Sequence, residues 1–150
     1  MNFDIKFDFQ RRDRLGLIEA IWGQDKSIDQ LERLCGNVLS KNEVVFITRI
    51  NSEKANYLLD LYDDARFHEE ANCLTIGKNF NKIITNKKVA IISGGSSDLA
   101  VTLEAQLALE IYGVNCQSFI DVGVAGLHRL MSQLEEINKY DVLIVCAGME

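Results

Sequence analysis

The sequence predicts an α/β fold, an incomplete flavodoxin-like parallel sheet in three layers preceded by a small α/β domain. Three observations predict it. Beyond residue 88, three apolar runs, Val89 to Ile92, Cys116 to Val122 and Val142 to Cys146, alternate with two stretches of helical length, Asp98 to Tyr112 and Gly126 to Asn138. Such alternation implies parallel strands, because only a right-handed crossover returns the chain to start a parallel neighbour. The junctions after the first two runs are rich in glycine, which lets a chain turn sharply at the edge of a sheet. Before Asn81 to Lys88 the elements are shorter and their connections charged, so the expected domains are residues 1–86 and 87–150.

The elements follow in order. Asp13 to Trp22 sets Leu15, Ile18 and Ile21 at helical spacing ahead of Gly23, a plausible stop, and reads as a helix. Ser27, with Gln30 three residues on, reads as the N-cap of a helix over Ile28 to Leu39, whose stripe is Ile28, Leu31, Leu34 and Cys35. Val44 to Ile50 is β-branched and reads as a strand; Ser52 to about Tyr62 reads as a helix with Ala55, Leu58 and Leu59 inward. Ala65 to Ile76 is expected to hold one or two short strands. In the second part, Gly113 ends the first long helix.

Composition narrows the function classes. A chain of 150 residues, 47% hydrophobic and 25% charged, is long enough for one moderate core and too apolar to be disordered. Its net charge of −6 argues against a nucleic-acid surface, which needs clustered cations. The run Arg11, Arg12, Arg14 is broken by Asp13 and reads as a solvated or subunit-contacting patch. No run of 18 apolar residues appears, and the first 14 residues are charged, so a cytoplasmic protein without a membrane span is expected. Cys35, Cys73, Cys116 and Cys146 form no CxxC pair and lie at no zinc spacing, so neither a metal site nor a disulfide framework is expected.

Three segments carry chemistry. Ser93-Gly94-Gly95-Ser96-Ser97-Asp98 joins the first apolar strand to its helix. Gly94 and Gly95 let backbone amides approach an anion, Ser96 and Ser97 add hydroxyls, and a helix start adds a positive dipole end. Asp98 fits either ribose hydroxyls or a plain capping role. The string is neither a dinucleotide GxGxxG nor a Walker loop, which requires a lysine. The second segment runs from Asp121 to Leu130. Arg129 there suits a phosphate or carboxylate and His128 suits proton or hydrogen-bond donation, unless both stand on an exposed helix face without a ligand. The third is Gly148-Met149-Glu150, in which Glu150 is a candidate general base or simply a terminal residue. In a parallel sheet all three belong to one edge. Three strands and two crossovers also leave an open sheet edge, so the expectation is a truncated chain, a split partner or a dependence on another subunit.

Taken together, "ISGGSSDLAVTLEAQLALEIYG", "DVGVAGLHRL" and "VLIVCAGME" resemble the LarB family of nickel-pincer cofactor synthesis, within the PurE-like class of aminoimidazole ribonucleotide carboxylases. "RLGLIEAIWGQDKSIDQL" and Thr48-Arg49 resemble that family's amino-terminal domain. The resemblance implies a nucleotide substrate: carboxylation of the pyridinium ring of nicotinic acid adenine dinucleotide and hydrolysis of its phosphoanhydride, giving AMP and a biscarboxylated mononucleotide. It implies carbon dioxide or bicarbonate as co-substrate, no tightly bound cofactor, and compatibility with Mg2+. Ser96, Ser97 and Asp98 would meet phosphate and ribose, with Asp121, His128 and Arg129 lining the pocket and Glu150 taking the ring proton. The family's cysteine nucleophile lies beyond the segment present here, so the chain alone is expected to be inactive. A homo-oligomer or a complementing carboxyl-terminal fragment is the expected partner. Two other readings stand beside this one: aminoimidazole ribonucleotide carboxylase, which more often shows a "SAHRTP"-like stretch where this chain has "DVGVAGLHRL", and a nucleotide-binding module without catalysis.

Overall fold

The computed structural model describes residues 7–77 and 85–148. The chain divides into two compact units, Met1–Asn79 and Phe80–Glu150.

The first unit is built on a four-stranded mixed sheet in the order β1-β2-β4-β3, from β1 (Ile21–Trp22), β2 (Val45–Thr48), β3 (Arg66–His68) and β4 (Cys73–Ile76). Strands β1 and β2 run parallel, with Ile21 opposite Ile47 and Trp22 opposite Thr48. Helix α2 (Ile28–Leu39) makes the crossover between them and starts where the sequence says it should. The Ser27 hydroxyl accepts the Gln30 N–H at 3.2 Å while the Gln30 side chain accepts the Ser27 N–H at 2.9 Å. This reciprocal cap satisfies two donors that a helix start otherwise leaves open. Helix α3 (Ser52–Leu61) is capped by Asn51, whose side chain accepts the Lys54 N–H at 3.0 Å. Leu31, Leu34, Cys35 and Val38 of α2 and Ala55 and Leu58 of α3 pack on Ile21, Ile47, Leu74 and Ile76, forming one core. Burial within it pushes the Cys35 thiol up to about 12, because desolvation disfavours the thiolate.

Two details differ from the sequence reading. Residues 13–22 are not one helix: α1 (Arg11–Leu15) ends at Gly16, which takes the left-handed conformation at φ 72°, and Ile21 and Trp22 enter the sheet instead. Leu15 and Ile21 fit a helical spacing by coincidence; a left-handed glycine releases the chain after one turn. Leu59 was expected inward but is 36% exposed, since α3 turns only Ala55 and Leu58 to the sheet.

The second unit is a three-layer parallel α/β sandwich. Its sheet order is β6-β5-β7, from β5 (Val89–Ser93), β6 (Cys116–Phe119) and β7 (Val142–Cys146). Both pairings are parallel, with Ile91 opposite Ser118 on one side and Ile144 on the other. The chain leaves the central strand toward β6 through α4 (Leu99–Ile111), then crosses back over it through α5 (Leu127–Ile137) to β7. Because each crossover is right-handed, opposite directions of travel put α4 and α5 on opposite faces. Ala90, Phe119, Val122 and Ile137 form the core beneath α5, with Ile92, Leu130 and Tyr140 against it. Ile91 points to the other face and is fully buried. The β7 strand is different: Val142, Leu143 and Val145 are 47%, 50% and 64% exposed, and among the described residues no strand pairs with its outer edge.

At the amino ends of these strands Asp141 clamps the approach to β5. Its carboxylate accepts the Lys87 ammonium at 2.8 Å and the Lys88 N–H at 2.9 Å. These bonds, the Lys87 one foremost, hold the Asp141 carboxyl below its ordinary value. A depressed folded-state pKa makes stability present above the ordinary carboxylate range and lost as pH falls through the folded value. Acid unfolding followed by circular dichroism should therefore show a smaller loss of stability with falling pH for Asp141→Asn than for the unaltered chain, and an identical pH profile would remove the clamp.

Candidate functional site

The carboxyl edge of the second unit is organised around Ser93, the last residue of β5, which is fully buried. Its hydroxyl accepts the Asp121 N–H at 2.9 Å and its carbonyl accepts the Val122 N–H at 3.0 Å. One residue on, the Gly94 carbonyl accepts the Gly123 N–H at 2.8 Å, and the Gly94 N–H donates to the Cys146 carbonyl at 3.0 Å. The turn after β5 is thereby stitched to the loop after β6 and to the end of β7. A Cβ added at Gly123 would lie 2.3 Å from the Gly94 oxygen, so the two loops approach too closely for any side chain there.

The turn itself is closed from within. The Gly95 N–H donates to the Asp98 carboxylate at 2.9 Å, and the Asp98 N–H returns a bond to the Gly95 carbonyl at 3.1 Å. The Thr102 hydroxyl, buried in α4, donates to the Asp98 carbonyl at 2.9 Å and holds the helix start in place. Gly94 and Gly95 thus shape the turn, with their N–H groups already bonded. Ser96 and Ser97 sit exposed at its tip, and their N–H and hydroxyl groups have no partner among the described residues. They are the donors that this edge offers outward. From β7, Gly148 comes close: a Cβ built on it would stand 3.5 Å from an Asp98 oxygen.

On the β6 side, Asp121 adopts a left-handed backbone at φ 59° and pairs through its carboxylate with the Arg129 guanidinium. Arg129 folds back over Gly126, the buried residue just before α5. With side chains 39% and 44% exposed, Arg129 and Asp121 form a water-screened pair. An incoming anion must therefore share with Asp121 the Arg129 guanidinium, which has fewer open donors than the sequence suggests. His128 is exposed in the first turn of α5, and its imidazole makes no hydrogen bond among the described residues. The structure so brings Gly94, Gly95, Asp98, Asp121 and Arg129 into one bonded rim with Ser96 and Ser97 at its lip, and leaves His128 on the adjoining helix face. Glu150 lies outside the described residues. Sequence reasoning singled out the loops but missed the joints: the buried Ser93 hydroxyl, Gly123 and the Cys146 carbonyl. The signal was present in a serine ending an otherwise apolar strand and a glycine two residues after Asp121.

A family profile described as the LarB/PurE-like N-terminal domain matches residues 3–78. The chain belongs to the LarB/PurE-like family. It is also 34% identical over 154 residues to a relative from Methanocaldococcus jannaschii named "Uncharacterized protein MJ0165", in an alignment covering 97% of this chain and 60% of that relative. The alignment therefore extends from the LarB/PurE-like N-terminal domain through the unit that carries the rim, and the chain spans about 60% of that relative's length.

Because the rim depends on the Gly94–Gly123 approach, Gly123→Ala should force the loops apart and cost about 1–3 kcal/mol in urea unfolding, the range for an added methyl without space. A variant as stable as the original would show that the loops are not held at this distance.

Proposed function

We propose that the rim of the second unit binds the phosphate and ribose of a nucleotide, and that the chain is the leading part of a LarB-type enzyme acting on nicotinic acid adenine dinucleotide. The observation that carries the reading is the stitching of three strand-end loops through Ser93, Gly94, Gly123 and Cys146. Open parallel sheets bind ligands outside their carboxyl ends, where oriented donors and a helix start face an anion together. Ser96 and Ser97 supply the phosphate donors, the Asp98 carboxylate takes a ribose hydroxyl, and Arg129 exchanges part of its bond with Asp121 for the ligand's charge. His128 reaches the ligand from the first turn of α5, and to Glu150 we assign the role of the base that accepts the ring proton when carbon dioxide adds. Membership in the LarB/PurE-like family supports a carboxylase.

The exposed Val142, Leu143 and Val145 support a further part of the proposal. Additional strands, continuing this chain or carried by another, cover β7 and bring the cysteine nucleophile, so that catalysis needs them. The proposal is tested by incubating the chain with nicotinic acid adenine dinucleotide and bicarbonate, alone and with the remaining part of a full-length relative, and measuring AMP by mass spectrometry. AMP should form only with the added part. Turnover by the chain alone would overturn the dependence. Calorimetry with AMP should show a binding component that Ser97→Ala/Asp98→Ala removes without unfolding, and a titration unchanged by that variant would remove the site.

A further inference from the structure

The first unit carries an aromatic and cationic arrangement that the rim of the second unit does not use. Trp22 ends β1 and is 47% exposed. Its Cα partner is Thr48, and its neighbour Ile21 belongs to the core beneath α2 and α3, so the indole stands on the sheet face away from both helices. The Arg49 guanidinium lies over this ring, its carbon 5.6 Å from the centroid, within the range of cation–π attraction. Arg49 holds a left-handed backbone at φ 54°. That conformation is unfavourable for a side chain with a Cβ, and persists because both flanks are pinned. The Gly23 N–H bonds the Thr48 carbonyl at 2.8 Å and the Ile50 N–H bonds the Asn72 carbonyl at 2.9 Å. Gly23 has no room for a Cβ, which would lie 2.8 Å from an Ile47 methyl. At the same strand ends Lys54 directs its ammonium to the Gly23 and Gln24 carbonyls at 3.0 and 2.7 Å, using two of its three donors.

A half-bare indole, a guanidinium stacked on it and an ammonium thus gather at the carboxyl ends of two parallel strands. In a chain of net charge −6 this sets two cationic side chains beside a flat apolar plate. A ring that stacks on the plate and a phosphate that meets the cations would satisfy both features, as nucleotides do. We propose that Trp22, Arg49 and Lys54 form a second binding site, in the first unit, for a phosphorylated aromatic ligand of the nucleotide class.

Trp22 is the only tryptophan in the chain, so its emission reports this site alone. Titration of the whole chain with AMP should change that emission saturably, while ribose 5-phosphate, which lacks the ring, should leave it unchanged at the same concentrations. Arg49→Gly removes the cation and suits the left-handed backbone. It should leave the chain folded yet shift the AMP midpoint by roughly ten-fold or more, the loss expected for one charge-assisted contact. The Ser97→Ala/Asp98→Ala variant should keep the emission response, which separates this site from the rim. AMP binding seen by calorimetry with unaltered emission would overturn this inference and leave the rim standing. So would an emission change that follows protein concentration without nucleotide, which assigns Trp22 to a contact between copies. A folded Arg49→Gly variant with an unchanged AMP midpoint would make Arg49 purely structural, and would overturn it too.

Discussion

The second unit depends on a contact between two loops that are not neighbours in sequence. Ser93 and Gly94 receive the N–H groups of Asp121, Val122 and Gly123, and Gly94 donates to Cys146. Each bond contributes on the order of 1 kcal/mol, and each would leave a buried polar group unsatisfied if broken. Their common effect is geometric. A central strand ending in serine has a hydroxyl where its apolar neighbours have only methyl groups, and that hydroxyl fixes where the next strand's loop begins. The turn at residues 94–98, the ion pair of Asp121 with Arg129 and the approach of Gly148 to Asp98 are all consequences of that position.

The two units solve the parallel-strand problem differently. In the first, α2 and α3 cover the same face of the sheet, and antiparallel β3 and β4 close the other side of β2. In the second, the helices take opposite faces and the sheet has only parallel pairs. The first arrangement can bury its central strands completely, and all four residues of β2 and all four of β4 are buried. The second buries its central strand β5 and leaves β7 largely bare.

Much of this was legible in the residues. Ser27 with Gln30 marked the start of α2, and the apolar runs marked β5 and β7, because caps and unbroken hydrophobic strands are local signals. The segment around Leu15 to Trp22 was not legible, since the same apolar residues satisfy a helix or a sheet until Gly16 is known to be left-handed. For the rim, sequence supplied the donors and acceptors but not their pairing. Nothing local says that the N–H groups of Gly94 and Gly95 are already bonded or that Arg129 already has a carboxylate. The Gly94 N–H finds Cys146 at the end of another strand, the Gly95 N–H finds Asp98 three residues on and Arg129 finds Asp121 eight residues back. Only folding decides which of the available partners is reached.

The bare flank of β7 also bears on how this polypeptide behaves in a crowded solution. A row of amide and carbonyl groups with no strand partner among the described residues, bordered by valine and leucine, is a template on which another extended segment can zip. No proline interrupts it, and β7 itself contains no charged residue to repel a newcomer. An edge of this kind makes a polypeptide adhesive wherever it is left uncovered.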